Sequence, residues 1–200
     1  ATIFIIAVSS PKKSDDLDAS VLASACETVG GNLKKGDLVI IESTVFPGAC
    51  DDLCIPILRK CSGLYNKEDF NFCYSPERVN PGDDVNNIEN TTKIISGINE
   101  QSVSYIKDFY GKIIKADLYE APSIKVAESA KLVENAQRDI NIALMNELSK
   151  IFHGLNISTS EVIKAAASKW NFMPYQPGLV GGHCIPIDTS YLIKTATKNN

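Results

Sequence analysis

The 200-residue chain has two histidines and no Cys-x-x-Cys pair, so the usual ligand doublets of a structural zinc site are missing and no metal is expected. Its six cysteines, Cys26, Cys50, Cys54, Cys61, Cys73 and Cys184, are scattered without a disulfide framework, and reduced thiols are expected. Positive charge is in deficit: a formal net charge of −4 leaves no footprint for nucleic acid or an anionic membrane, although local Lys and Arg clusters remain able to grip a phosphorylated metabolite. No apolar run reaches the length of a membrane span, and residues 3–8 lack a charged leader and a cleavage site, so a cytosolic protein with no membrane partner is expected. A Gly-x-Gly-x-x-Gly phosphate loop is also absent, and the chain starts inside a strand without an initiator methionine. These two absences imply a fragment, lacking its first βαβαβ half and a C-terminal segment.

What is present is an alternation. Residues 3–8 form a continuous apolar run ended by Ser9, Ser10 and Pro11, as a parallel strand buried on both faces reads. A helix follows, with Val21, Leu22, Ala25, Val29 and Leu33 at helical spacing before Gly36. Further strands are expected at 37–41, 70–74, 93–96 and 112–114, with helices after Pro47-Gly48, carrying Cys50 and Cys54, and over 101–110. The fold class is therefore α/β with a parallel sheet. In such sheets ligands bind beyond the carboxyl ends of the strands, where the hydroxyl-bearing tripeptides Ser9-Ser10-Pro11, Ser43-Thr44-Val45 and Ser75-Pro76-Glu77 all fall.

From Ser123 the pattern becomes a long helix reaching about His153, then a second helix over 159–167 and a loop over 170–182. One stripe of the long helix holds Val126, Val133, Ile140 and Leu144; another holds Lys131, Asn135 and Arg138. The stretch Pro177-Gly178-Leu179-Val180-Gly181-Gly182-His183-Cys184-Ile185 sets one cysteine behind glycines that permit close approach by a substrate and by backbone N–H donors, with Asp188 four residues on. Cys184 therefore reads as a nucleophile rather than the small buried hydrophobe that a lone cysteine usually is.

Taken in order, Ser43-Thr44-Val45-Phe46-Pro47-Gly48, Tyr74-Ser75-Pro76-Glu77-Arg78-Val79-Asn80-Pro81-Gly82, residues 131–141 and residues 178–188 resemble the UDP-glucose/GDP-mannose dehydrogenase family. The likeness runs nearly the whole length, and within the family it is nearest to the bacterial UDP-N-acetylhexosamine 6-dehydrogenases of capsule, Vi-antigen and O-antigen synthesis, whose branch residues 169–178 resemble. It implies that residues 1–122 are the second half of an NAD-binding Rossmann domain and residues 123–200 a helical central domain that forms a homodimer. Where the family writes Val-Pro-Thr-Pro, this chain has Val8-Ser9-Ser10-Pro11, so the cofactor hydroxyl would come from Ser10.

The implied chemistry is an NAD-dependent oxidation of a UDP-sugar C6 alcohol to a carboxylate in two hydride transfers, with the aldehyde held by Cys184 as a thiohemiacetal and then a thioester. The resemblance places Lys131 and Asn135 at the charge that develops on the C6 oxygen, Arg78, Val79, Arg138 and Gly181 on the nucleotide-sugar, and Ser10 and Thr44 on NAD. Thioester hydrolysis needs a base, for which Asp188 and Glu77 both stand as candidates, with Thr44 holding the water. His183 is either an acid–base partner or a loop residue pointing away, and Trp170 and Tyr175 either shape the sugar pocket or pack the helical part. The competing reading is a truncated, inactive module that folds and pairs with itself; a cysteine hydrolase using Cys184 and His183 leaves Lys131, Asn135 and the strand ends unexplained.

Overall fold

The computed structural model describes residues 2–9, 12–13, 16–79, 82–181 and 184–199, the side chains of 12–13, 16–17, 184–186 and 198–199 excepted. Ser10 and His183, two of the sequence candidates, lie outside the described residues, as does the side chain of Cys184.

Five strands, β1 (Ile3–Ile6), β4 (Leu38–Ile41), β5 (Asn71–Tyr74), β6 (Lys93–Gly97) and β7 (Leu118–Glu120), form one sheet in that order, and a two-stranded ribbon of β2 (Lys12–Lys13) and β3 (Asp16–Leu17) follows β1. The α/β class holds, and β1, β4 and β5 are parallel, but β5 and β6 are antiparallel, so the sheet is mixed. Sequence periodicity marks a strand without marking its direction, which depends on the path of the chain between strands. Residues 112–114 are not a strand: the N–H groups of Ile113 and Ile114 both bond the carbonyl of Tyr110, continuing the helix end as a turn, and β7 takes the sheet position.

Expected burial of the first strand on both faces also needs correction. Ile6 is 3% exposed, yet Ile3 and Ile5 are 40% and 44% exposed. Alternation turns Phe4 and Ile6 toward the helices and Ile3 and Ile5 the other way, onto a face of the edge strand that is only partly covered.

Helices α1 (Ser20–Gly30) and α2 (Ile55–Ser62), the latter entered through a π-helical turn over Cys50–Cys54, pack on one face of the sheet around Val39, Ile41, Phe72 and Tyr74. Helix α3 (Glu100–Tyr110) covers the other face against Ile40, Cys73 and Ile95, and the side chain of Asn99 caps it by accepting the N–H of Ser102. Helix α4 (Ile124–Gly154), capped by the hydroxyl of Ser123, starts on the first face, where Ile124 and Ala127 join the core, and then runs clear of it. Its 31 residues make it roughly 46 Å long. Helix α5 (Thr159–Ala166) and helix α6 (Cys184–Asn199) both pack back onto α4.

Candidate active site

The strand-end serines serve the scaffold. Ser43 accepts the N–H of Val8 and donates to its carbonyl, both at 2.8 Å, clipping the segment after β1 to the end of β4. Ser75 is fully buried and donates to the carbonyl of Ile94 at 2.7 Å. The expectation that all three tripeptides present hydroxyls to a ligand is therefore corrected for Ser43 and Ser75, because buried hydroxyls between strand ends are used up by backbone groups. Thr44 sits half-buried in the loop between them and the π-helical turn.

That loop is tied to α4. Glu128 is fully buried, and its carboxylate accepts the N–H of Gly48 at 2.5 Å and of Cys50 at 2.9 Å. Gly48 has φ +94, a left-handed conformation that only glycine adopts without strain, and a side chain there would also press on Lys125. Burial raises the Glu128 carboxyl above its ordinary range, against the lowering pull of the two N–H donors. A carboxylate at a helix start supplies the negative charge that such an end favours.

One turn further along α4, Lys131 and Asn135 are 9% and 6% exposed and face α6. The amide of Asn135 donates to Asp188 at 2.5 Å, and Asp188 is 1% exposed. Burial pushes the Asp188 carboxyl up, while the Asn135 bond and the charge of Lys131 oppose the shift. Three residues that the sequence places on two separate segments thus converge. Cys184 opens α6, so Asp188 follows it by one helical turn, as expected. The preceding loop is pinned to α4 by Asn146, whose amide donates to the carbonyl of Gly178 and accepts its N–H, both at 2.9 Å.

Glu77 and Arg78 stand at the end of β5. One oxygen of Glu77 accepts the N–H groups of Arg78 and Val79, each at 2.7 Å, and the other faces Lys93 at 3.4 Å. The Arg78 guanidinium makes a paired contact with Glu134 of α4, at 2.7 and 3.1 Å, and donates to the carbonyl of Thr92. Arg138 and Gly181 are exposed and are not drawn into the Lys131–Asn135–Asp188 cluster. Trp170 is 92% exposed, so neither the packing nor the pocket role is visible for it within this chain.

Residues not anticipated from sequence are Glu128, Asn146, Lys93 and Tyr74. Tyr74 is fully buried at the end of β5, and its hydroxyl has no hydrogen-bond partner among the described residues. The Glu128 signal was present as a carboxylate one helical turn before Asn135's neighbour Lys131, on the face that enters the core. Among the described residues no three His, Cys, Asp or Glu side chains converge on a metal position. The thiols of Cys50 and Cys73 are pushed up to about 12 by burial, and Cys26 is raised further by its hydrogen bond with Cys54 and then by burial, which leaves them poor nucleophiles.

Residues 1–114 match the UDP-glucose/GDP-mannose dehydrogenase family, NAD binding domain, and residues 125–200 match that family's central domain. The UDP-N-acetyl-D-glucosamine 6-dehydrogenase of Pseudomonas aeruginosa is 50% identical over 195 residues, 97% of this chain and 46% of its own length. That of Salmonella typhi is 54% identical over 175 residues, 88% of this chain and 41% of its own. The solved UDP-D-ManNAc dehydrogenase of Pyrococcus horikoshii superposes with a TM-score of 0.91 at 35% identity, over 97% of this chain and 46% of that one. The chain thus spans less than half the length of these relatives.

Proposed function

The chain belongs to the UDP-glucose/GDP-mannose dehydrogenase family, and we propose that it carries the catalytic centre of an NAD-dependent UDP-N-acetylhexosamine 6-dehydrogenase. The observation that carries this reading is the buried cluster of Lys131, Asn135 and Asp188 between α4 and α6, one turn from Cys184. In it a cation, an amide and a carboxylate meet beside the one cysteine that follows a glycine-lined loop. Residues 1–122 are read as the second half of the cofactor domain and residues 123–200 as the central domain.

The strand ends fit one end of a dinucleotide, since β1, β4 and β5 point the same way and Thr44 lies half-buried at their mouth. The backbone N–H groups at the nearby helix start are taken by Glu128, so that end is not a phosphate seat. NAD, when bound, supplies the acceptor for the hydride lost in each oxidation.

In this reading the Lys131 ammonium and the Asn135 amide stabilise negative charge on the C6 oxygen. The Cys184 thiolate adds to the aldehyde carbon, loss of a hydride leaves a thioester, and Asp188 or Glu77 accepts the proton of the water that opens it. Burial raises the Asp188 carboxyl, whereas Glu77 is held below the ordinary range by its N–H donors and Lys93, so the two differ in when they take up a proton. Arg78, Val79, Arg138 and Gly181 are assigned to the nucleotide-sugar; Arg78 serves it only by sharing or leaving Glu134.

The proposal includes a homodimer through α4. Val126, Val133, Ile140, Leu144 and Ile151 are 43–66% exposed, and at 100° per residue they share a stripe about 40° wide, which a second copy of the same helix would cover. No helix among the described residues is long and apolar enough to cross a membrane. A cytoplasmic location belongs to the same proposal, because NAD and nucleotide-sugars are cytosolic metabolites.

The test uses a protein carrying this chain at the length of its relatives, supplied with NAD and UDP-GlcNAc, UDP-GalNAc or UDP-ManNAc. NADH and the uronate are expected from at least one sugar, and Cys184→Ser stops formation of the acid. Acid formed at an undiminished rate by that variant removes Cys184 from the mechanism.

A further inference from the structure

Residues 167–181, which join α5 to α6 and include the glycine-lined approach to Cys184, contain no buried residue, and Trp170, Met173 and Leu179 are among the most exposed side chains of the chain. Packing within this chain therefore gives the segment little order, and its backbone has to be held by hydrogen bonds. Among the described residues, the hydrogen bonds that run from 170–181 to a helix or strand are two, and both go to Asn146 of α4. Its Nδ2 donates to the carbonyl of Gly178 and its Oδ1 accepts the N–H of Gly178, each at 2.9 Å. One amide thus takes both backbone groups of one residue, as a strand partner would, and a residue held through both groups is fixed in position and in direction.

This tether belongs to a series. At 100° per residue Asn135, Asp139 and Asn146 share a stripe of α4 about 40° wide, on the side opposite Val126, Val133, Ile140 and Leu144. Asn135 bonds Asp188, and Asp139 accepts the hydroxyl of Thr189 at 3.0 Å, so these two fasten the chain just after Cys184 while Asn146 fastens it just before. One helix face therefore brackets the cysteine. The third tether is not needed to hold the helices together, since α5 and α6 pack onto α4 on their own and the Asn146 bonds are open to water. What it fixes is the path of the glycine segment from Gly178 to Gly181.

We propose that Asn146 is a positioning residue: it sets the backbone at Gly178 so that the segment through Gly181 stands in place before the nucleotide-sugar arrives. This rests on the dehydrogenase reading above, which assigns Gly181 to the substrate and Cys184 to the aldehyde. The Asn146 side chain bonds Gly178 and acts on those two residues only through the backbone between them. Its effect is to remove the cost of ordering the segment at each binding event, a cost that weakens substrate binding when the segment is free.

The test compares Asn146→Ala and Asn146→Asp with the unaltered protein, each carrying this chain at its relatives' length. Aspartate keeps an acceptor for the Gly178 N–H and loses the donor to the Gly178 carbonyl, so it frees the segment in part. Amide hydrogen exchange is followed by mass spectrometry in peptides covering 171–181 and, separately, α6, and kcat and KM are measured with a UDP-N-acetylhexosamine. Expected for Asn146→Ala are faster exchange in 171–181 with α6 unchanged, and kcat/KM lowered roughly 10- to 100-fold, carried mainly by KM, with Asn146→Asp lying between. Exchange that stays unchanged in 171–181 overturns the tether. Faster exchange with kcat and KM both unchanged overturns the positioning role and leaves a structural bond. If the unaltered protein oxidises no UDP-N-acetylhexosamine, the dehydrogenase reading fails instead, and the exchange still decides whether Asn146 holds the segment.

Discussion

Asn135 and Asp188, 53 residues apart in sequence, are joined by a 2.5 Å hydrogen bond across the α4–α6 contact, with both side chains almost wholly buried. That bond is made to a carboxylate which burial raises, so the site holds Asp188 in a state that folding by itself disfavours.

The sign of the consequence follows. A carboxyl whose folded value lies above its unfolded one contributes stability that is fully present below the unfolded value, 3.8, and lost as pH rises through the folded value. Asp188→Asn is therefore expected to raise the melting temperature at neutral pH by a few degrees or so, with the gain shrinking to nothing below about pH 3.8, while acid production stops. Melting curves across pH check it; a neutral-pH loss of stability contradicts the assignment.

Lys131→Ala is expected to lower kcat far more than it raises KM, since the ammonium is proposed to act on charge that develops in the transition states. Steady-state kinetics decide: a rise in KM with kcat unchanged makes Lys131 a binding residue only.

Glu128→Ala removes the acceptor of two buried N–H groups, those of Gly48 and Cys50. The expected cost is about 2–6 kcal/mol, from roughly 1–3 for each unsatisfied group, read as a lower urea midpoint with an unchanged slope.

Tyr74 has the opposite problem, a buried hydroxyl with nothing to bond among the described residues. Tyr74→Phe is expected to leave stability unchanged or raise it by about 1 kcal/mol. A loss of that size in denaturant titration means that a bound water satisfies the hydroxyl.

The exposed stripe on α4 predicts that Ile140→Glu with Leu144→Lys converts a dimer to a monomer in light scattering, without altering the far-ultraviolet helix signal. A parent protein that is already monomeric refutes the helix pairing.

Much of this was legible in the residues alone. Apolar runs and turn residues located β4, β5 and β6, because a strand shielded on both faces is mostly apolar at its centre. Helical spacing put Lys131 and Asn135 on one face, and the glycine-lined loop with Cys184 and Asp188 one turn apart marked the proposed site, because both patterns are local. Strand direction, the exposure of Ile3 and Ile5, and the internal use of Ser43 and Ser75 were decided by tertiary structure. Each depends on which neighbour the chain brings alongside. The same holds for Glu128 on the Gly48 loop and for Lys93 between Glu42 and Glu77. A charged residue in sequence carries no sign of its partner, and it is the cost of burying an unpaired charge that makes those distant pairings part of the fold.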